Sequence, residues 1–286
     1  LILRRRKKRK VRRLIIALLI IAALFALACR DSAENIDSAE YSLAFSSLPA
    51  SFDSFRIVQI SDLHAKEFGS GNSRLLEKTA AAQPDIIAVT GDIIDDKGQL
   101  DMARALFSGL AAIAPVYYVA GNHEWSCGEL PALRKVLSEC GVISLSNSYD
   151  VLYRGEEKIV IAGLEDPNGY ADMLTPSEFM AQLQAWEGEC FTVLLSHRNY
   201  TPEYYLPLGA ELVLSGHAHG GIIRLPFTDG LINASRELFP SYTNGPYRLE
   251  DMILFVSRGL GSSVKVPRLF NRPHLPVITL RAQASS

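Results

Sequence analysis

Glu211-Leu212-Val213-Leu214-Ser215-Gly216-His217-Ala218-His219-Gly220-Gly221 is the stretch on which the reading of this chain turns. An apolar run followed by Gly-His-x-His and two glycines reads as a buried strand ending in a tight loop that aims two imidazoles at one place. Four other segments share the design of an apolar run, a small residue, and then Asp, Asn or His. They are Ile57-Val58-Gln59-Ile60-Ser61-Asp62-Leu63-His64, Ile86-Ile87-Ala88-Val89-Thr90-Gly91-Asp92, Val116-Tyr117-Tyr118-Val119-Ala120-Gly121-Asn122-His123-Glu124 and Thr192-Val193-Leu194-Leu195-Ser196-His197. Five of the six histidines fall in these segments, which chance does not arrange.

The ligand chemistry follows from the residue types. Asp62 and His64 alternate around Leu63, so both can point the same way as a strand runs into a loop. A carboxylate oxygen and an imidazole suit borderline divalent metals, and Asp92 adds a second carboxylate able to reach two ions at once. Asn122 offers an amide oxygen, and His197, His217 and His219 offer nitrogens. Taken alone, Asp-x-His and Gly-Asp-x-x-Asp are weak signals, and a single zinc ion could explain Gly-His-x-His. Seven such groups in order suit two metals.

The chain has 286 residues, ample apolar content at 48%, and a net charge of −2 that hides an asymmetry. Nine of its 29 Lys and Arg lie in residues 1–13, leaving 20 against 31 acids elsewhere, a formal −11. An acidic body argues against a nucleic-acid polymer as partner. Leu14 to Ala28 then runs fifteen residues without a polar side chain. That is short of the roughly 20 of an ordinary spanning helix, so a signal anchor and a cleaved signal peptide fit equally. Two further options are a twin-arginine signal around Arg12-Arg13 and lipidation at Cys29. Positive-inside logic keeps the arm cytoplasmic and sends the rest of the chain across the membrane, anchored or exported.

The expected domains are a basic arm (1–13), a signal anchor or signal peptide (14–29), a linker rich in Ser, Ala and acids (30–53), and a catalytic domain (54–286). Within the last, apolar strands alternate with helices over Phe55–Ile60, Asn72–Gln83, Asp85–Thr90, Gly98–Leu110, Val116–Val119 and Glu129–Cys140. Strands then dominate over Val142–Leu145, Tyr149–Tyr153, Lys158–Ala162, Phe191–Ser196, Leu212–Leu214, Ile222–Arg224, Met252–Ser257 and Val277–Leu280, with one helix at Pro176–Trp186. The fold class is α/β, two packed mixed β-sheets with helices outside. Ligands in such sheets collect beyond the carboxyl ends of strands, where all five segments place their polar residues. The cysteines suggest no scaffold, although a Cys127–Cys140 bridge is conceivable.

The ordered set Asp62-Leu63-His64, Gly91-Asp92-Ile93-Ile94-Asp95, Gly121-Asn122-His123-Glu124, Ser196-His197 and Gly216-His217-Ala218-His219 resembles the calcineurin-like metallophosphoesterase superfamily, from about Phe55 to Leu280. The resemblance implies an αββα four-layer sandwich carrying two divalent or trivalent ions (manganese, iron or zinc). These would activate water for in-line attack on phosphorus in a phosphomonoester or, preferentially, a phosphodiester. By position, Asp62, His64 and His219 would hold one ion, Asn122, His197 and His217 the other, and Asp92 both. His123 would not be a ligand; beside Asn122 it could protonate the leaving alkoxide or stabilise phosphate charge. Asp95 and Glu124 could brace that imidazole or neighbouring groups, and Arg198 or Arg258 could meet phosphate oxygens.

Further on, Gly220-Gly221-Ile222-Ile223-Arg224-Leu225-Pro226, Leu238-Phe239-Pro240-Ser241-Tyr242-Thr243-Asn244-Gly245 and Val256-Ser257-Arg258-Gly259-Leu260-Gly261 look like the membrane-associated bacterial phosphodiesterase branch of that superfamily. The branch's Asn-Arg-Pro-Glu appears here as Asn271-Arg272-Pro273-His274, which leaves any role of that acid without a bearer, and His274 reads as surface or packing. Residues Leu225 to Tyr247 could cap the site with Phe227, Phe239, Tyr242 and Tyr247. Two other functions remain open: a pyrophosphatase acting on a nucleotide-linked lipid at the membrane, and a metal-holding protein without turnover.

Overall fold

The computed structural model describes residues 2–224, 230–233, 237–264 and 266–283. The first helix, α1 (Ile2–Glu34), contains neither Gly nor Pro and is rich in Leu, Ile and Ala, all compatible with an unbroken helix. Its segment Arg9–Glu34 is long and apolar enough to cross a membrane. Large side chains such as Leu14, Leu19 and Ile21 are exposed, so α1 does not serve as a core helix.

Two six-stranded sheets form the body. The first contains β1 (Asp37–Phe45), β2 (Arg56–Ile60), β3 (Ile86–Val89), β4 (Val116–Tyr118), β5 (Ile143–Ser144) and, from the end of the chain, His274–Ala282, which is β12. The second is built from β6 (Ser148–Arg154), β7 (Glu157–Gly163), β8 (Thr192–Leu195), β9 (Leu212–Ser215), β10 (Gly245–Leu249) and β11 (Met252–Val256). Their orders are β1-β12-β2-β3-β4-β5 and β10-β11-β9-β8-β7-β6. Strands β2 to β5 run parallel, as do β7, β8, β9 and β11, whereas β12 meets β2, β6 meets β7 and β10 meets β11 antiparallel.

The pleat sorts the central strands into three cores. Ile57, Ile86, Ala88, Tyr117, Val193, Leu195, Leu212 and Leu214 meet between the sheets. Their neighbours Val58, Ile87 and Val89 face the other way, onto α2 (Ser73–Ala81), α3 (Leu100–Ala111) and α5 (Leu130–Glu139). Val160, Leu194 and Val213 pack outward against α6 (Pro176–Glu187) and α7 (Pro202–Tyr205). One short helix remains, α4 (Asn122–Ser126). The result is the expected four-layer αββα sandwich.

Two expectations need correction. Residues 30–53, read as a linker, contain the end of α1 and the strand β1, which pairs in parallel with β12 from Asp37↔His274 to Phe45↔Ala282. Its Leu43 and Phe45 reach the inter-sheet core while Ser38, Glu40 and Ser42 stay outside, a weak alternation that a Ser- and Ala-rich composition masks. Ile222 and Ile223 make only isolated bridges, to Ile232 and Leu269, because the two glycines before them turn the chain away from the sheet. All four cysteines are free.

Candidate metal centre

The carboxyl ends of β2, β3 and β4 in one sheet and of β8 and β9 in the other deliver five loops to one edge of the sandwich. Backbone bonds tie these loops together: the Asp62 N–H donates to the Gly91 carbonyl (3.0 Å), the His64 N–H to the Asp92 carbonyl (3.0 Å) and the Gly216 N–H to the His197 carbonyl (3.0 Å). Asp62, His64, Asp92, His217 and His219 all have positive φ, between 49° and 66°. For non-glycine residues this left-handed geometry costs of order 1–3 kcal/mol each and persists only where the surroundings enforce it.

Two glycines let the chain come this close. A Cβ on Gly121 would lie 2.2 Å from Oδ1 of Asp92, and one on Gly216 would lie 1.9 Å from Oγ of Ser61 and 2.5 Å from Oδ2 of Asp62.

Around Oδ2 of Asp92 stand three imidazole Nε2 atoms, from His197 at 3.2 Å, His64 at 3.8 Å and His123 at 3.9 Å. Nε2 of His197 is also 3.1 Å from Oδ1 of Asn122 and 3.1 Å from Nδ1 of His217. On the other side, Nε2 of His219 lies 3.8 Å from Oδ1 of Asp62, and the His64 and His219 rings stack at 5.0 Å. Ligand atoms of Asp62, His64 and His219 thus form one group, and those of Asp92, His197 and His217 a second. All seven residues expected as ligands meet here.

Supporting contacts fix their orientation. His197 Nδ1–H donates to the Thr90 carbonyl (2.8 Å), which turns Nε2 inward. Ser61 Oγ–H donates to Asp62 Oδ2 (2.5 Å), and the His217 N–H reaches Asp62 Oδ1 (2.9 Å). Asn271 donates to the carbonyls of His219 (2.8 Å) and Ile222 (3.2 Å), an indirect role that only the resemblance of its Asn-Arg-Pro segment hinted at.

Asp95 and Glu124 make different contacts. Oδ1 of Asp95 lies 2.7 Å from Nδ1 of His64 and 2.7 Å from Nδ1 of His123. Glu124 does not reach the His123 ring. Its fully buried carboxylate instead accepts the backbone N–H groups of Asp92 (3.0 Å), Ile93 (2.5 Å), Ile94 (3.3 Å) and Gly121 (2.8 Å), pinning the Asp92 loop to the Asn122 loop.

Arg198, expected at the substrate, instead donates from Nε and Nη2 to the buried carboxylate of Asp166 (2.8 and 3.2 Å). Arg258 likewise pairs with Asp37 of β1 (2.7 Å) and Asn244 (2.7 Å). In both cases a carboxylate distant in sequence claims the guanidinium. His274 is buried, packed on Phe255 and Tyr41, so of its two expected roles packing is the one found.

The protein's own field favours metal ligation. Burial pushes His217 and His219 down to about 4, so both rings are neutral near pH 7. Burial alone would raise the Asp92 carboxyl, but His197, His64 and His123 overcome it and hold that group well below the carboxylate range. Burial likewise opposes charge on His197, yet Asp92 beside it pushes the ring up to about 10. Nε2 of His64 and Nδ1 of His219 are buried without a hydrogen-bond partner. Neutral His217 and His219, the ionised Asp92 carboxylate and the orphaned nitrogens make a donor set that fits borderline divalent ions, while His197 must give up a proton to an incoming ion.

The centre opens into a cleft of about 690 Å³ whose wall includes Asp92, Asn122, His123, His217, His219 and Tyr242. The notional cap is partly present: Tyr242 lines the cleft and packs edge-on against Tyr247 (5.0 Å), and Phe239 is exposed. Phe227, with Leu225 and Pro226, lies outside the described residues.

Fold and site together define a metal-dependent phosphoester hydrolase with a dinuclear centre. Residues 55–221 match the calcineurin-like phosphoesterase family, and the chain belongs to it. It is 28% identical over 253 residues to the uncharacterized metallophosphoesterase YkuE of Bacillus subtilis, covering 86% of each chain. Over 251 residues it is 28% identical to a transmembrane protein with metallophosphoesterase domain of Danio rerio, covering 82% of this chain and 55% of that one. In fold it is similar to a 5′-nucleotidase precursor from Thermus thermophilus, with TM-score 0.50 and 16% identity over 80% of this chain; the match spans 54% of that structure.

Proposed function

We propose that this protein is a phosphodiesterase, anchored to a membrane by α1, with its catalytic body on the extracytoplasmic side and its basic arm in the cytoplasm. In this reading Asp62, His64 and His219 hold one ion, Asn122, His197 and His217 the other, and Asp92 serves both. The ions supply Lewis acidity, neutralising phosphoryl oxygens and acidifying water at neutral pH. The residues orient them: Thr90 sets the His197 ring and Asp95 the His64 ring.

In this reading His123 is not a ligand, although its Nε2 lies 3.9 Å from Oδ2 of Asp92 and it forms a further group of potential donors with His64 and Asp95. Its ring is partly open to the cleft, and the hydrogen bond to Asp95 raises its pKa against the pull of burial. A protonated Nε2 on the cleft wall can donate to a departing alkoxide, and Asp95 keeps it aimed there.

One observation supports diesters above monoesters. Arg198, the guanidinium expected at the phosphate, is instead held by the buried carboxylate of Asp166. A monoester dianion gains from an added guanidinium; a diester, with one negative charge, needs less compensation. Bis(4-nitrophenyl) phosphate should therefore turn over faster than 4-nitrophenyl phosphate with the manganese-, iron- or zinc-loaded enzyme. Preference for the monoester would overturn the assignment.

A second reading, hydrolysis of the diphosphate in a nucleotide-linked lipid, uses the same centre and draws support from Leu238 and Phe239, exposed on the cleft lip. Release of nucleoside monophosphate from such a lipid, with no turnover of simple diesters, would favour it.

A further inference from the structure

We infer that the cleft lip beside the foot of α1 seats on an anionic lipid bilayer, so that the catalytic cleft opens at the membrane surface. The inference rests on the proposed anchoring by α1. Outside α1, Leu238, Phe239, Val266 and Phe270 expose 64%, 65%, 47% and 60% of their surface, more than any other described Val, Leu, Ile or Phe. These four belong to one place. Isolated bridges join Ile223 to Leu269, Ile223 to Ile232 and Ile232 to Leu238, so the segments carrying Leu238, Phe239 and Phe270 form one small platform.

That platform lies between the cleft and α1. Glu237 and Pro240, which flank Leu238 and Phe239, line the cleft. Val266 lines a groove with Cys29 and Ala33 of α1, and Val264 lies on the walls of both groove and cleft. The foot of α1 is fastened to the same segment, where Arg272 pairs with Asp31 (2.7 and 2.9 Å) and the Asn271 N–H donates to Ser32 Oγ (3.3 Å), and to the loop after β2, where Lys66 Nζ donates to the Ala33 carbonyl. A helix entering a bilayer from this foot brings the four apolar side chains to the interface.

Charge at the foot of α1 fits the same surface. Exposed Arg74 and Lys78 of α2 line a second groove there, with Glu34, Asn35, Ile36 and Arg272. Cations and apolar side chains gathered around one helix foot match the layering of anionic headgroups over acyl chains. A soluble protein partner would explain the apolar group but gives no reason for its place at the foot of a spanning helix.

The test uses the full chain reconstituted into vesicles whose acyl chains carry bromine, a contact quencher of tryptophan. Phe239→Trp and Phe270→Trp each add one fluorophore at an exposed position, and the wild type, with Trp125 and Trp186, gives the background. The expected result is loss of the added emission in brominated relative to unbrominated vesicles. The loss should be larger in phosphatidylglycerol than in phosphatidylcholine, a difference that Arg74→Glu with Lys78→Glu removes. Unchanged emission from both added tryptophans overturns the inference, including the case where a second protein copy covers the lip. Equal quenching in the two lipids overturns the part given to Arg74 and Lys78. Vesicle flotation of the same samples separates the failures: a floating chain with unquenched lip tryptophans leaves anchoring by α1 intact, whereas a chain that does not float contradicts both readings.

Discussion

Oδ1 of Asp95 lies 2.7 Å from Nδ1 of His123. The same oxygen is 2.7 Å from Nδ1 of His64, so one carboxylate orients both an imidazole of the ligand groups and the imidazole that faces the cleft. His123→Asn and Asp95→Asn should therefore separate the two roles. The first should lower kcat by about 10²–10⁴-fold with metal content unchanged. The second should lower metal affinity and kcat together, by roughly 10–100-fold. Elemental analysis alongside steady-state kinetics checks this, and loss of metal in His123→Asn would show that His123 is a ligand after all.

Glu124 gathers four backbone N–H groups on a carboxylate with no exposed surface. In Glu124→Gln the amide nitrogen must face donors, leaving buried groups unmatched. A loss of about 2–4 kcal/mol in unfolding free energy is expected from urea titration. A variant as stable as the parent would mean that the two loops do not depend on this anchor.

Gly121 has a negative φ of −100°, so alanine there meets no backbone penalty. Its Cβ, however, would fall 2.2 Å from Asp92 Oδ1. Gly121→Ala should fold and yet bind fewer than two equivalents of metal. Full occupancy with unchanged kinetics would show that the Asp92 carboxylate can move aside without consequence.

His274 gives a pH dependence of stability. Its Nδ1 accepts the Arg258 N–H (3.2 Å), so Nε2 carries the hydrogen and can donate to the Tyr41 hydroxyl (3.1 Å). Burial first, then Arg258, Arg268 and Arg224, holds its pKa well below 6.5. In the unfolded chain the ring takes up a proton near pH 6.5, whereas in the fold it does not until lower pH. Its contribution is thus intact above about pH 6.5 and is lost as pH falls, by up to about 1.4 kcal/mol per unit. Urea titrations between pH 7 and pH 5 should show this slope, and His274→Gln should reduce it; identical slopes would remove His274 as the cause.

The centre was legible because each of its five loops follows a strand buried on both faces, and such strands announce themselves as unbroken apolar runs. The resemblance added which ligands share an ion. Strand β1 was not legible: its Tyr41, Leu43 and Phe45 do alternate, but Ser and acidic residues beside them gave the stretch a linker's composition. The partners of Arg198 and Glu124 were hidden for another reason. Asp166 and the Asp92 loop lie about thirty residues away in sequence, and only folding brings them within reach. Arg268 was missed for a different reason: its partners are near in sequence but are backbone carbonyls, which residue types do not announce, and its buried guanidinium donates to those of Asn271 (2.9 Å), Gly261 (2.7 Å) and Arg258 (2.8 Å), closing the loop that packs on Asp62.

The central claim is that Asp92 is shared between two ions and that hydrolysis depends on it. The most direct test is metal content and diester hydrolysis measured on the same preparations of wild type and Asp92→Ala. The account predicts two equivalents of transition metal and turnover in the wild type, with fewer equivalents and no turnover in the variant. A fully active Asp92→Ala protein would contradict it.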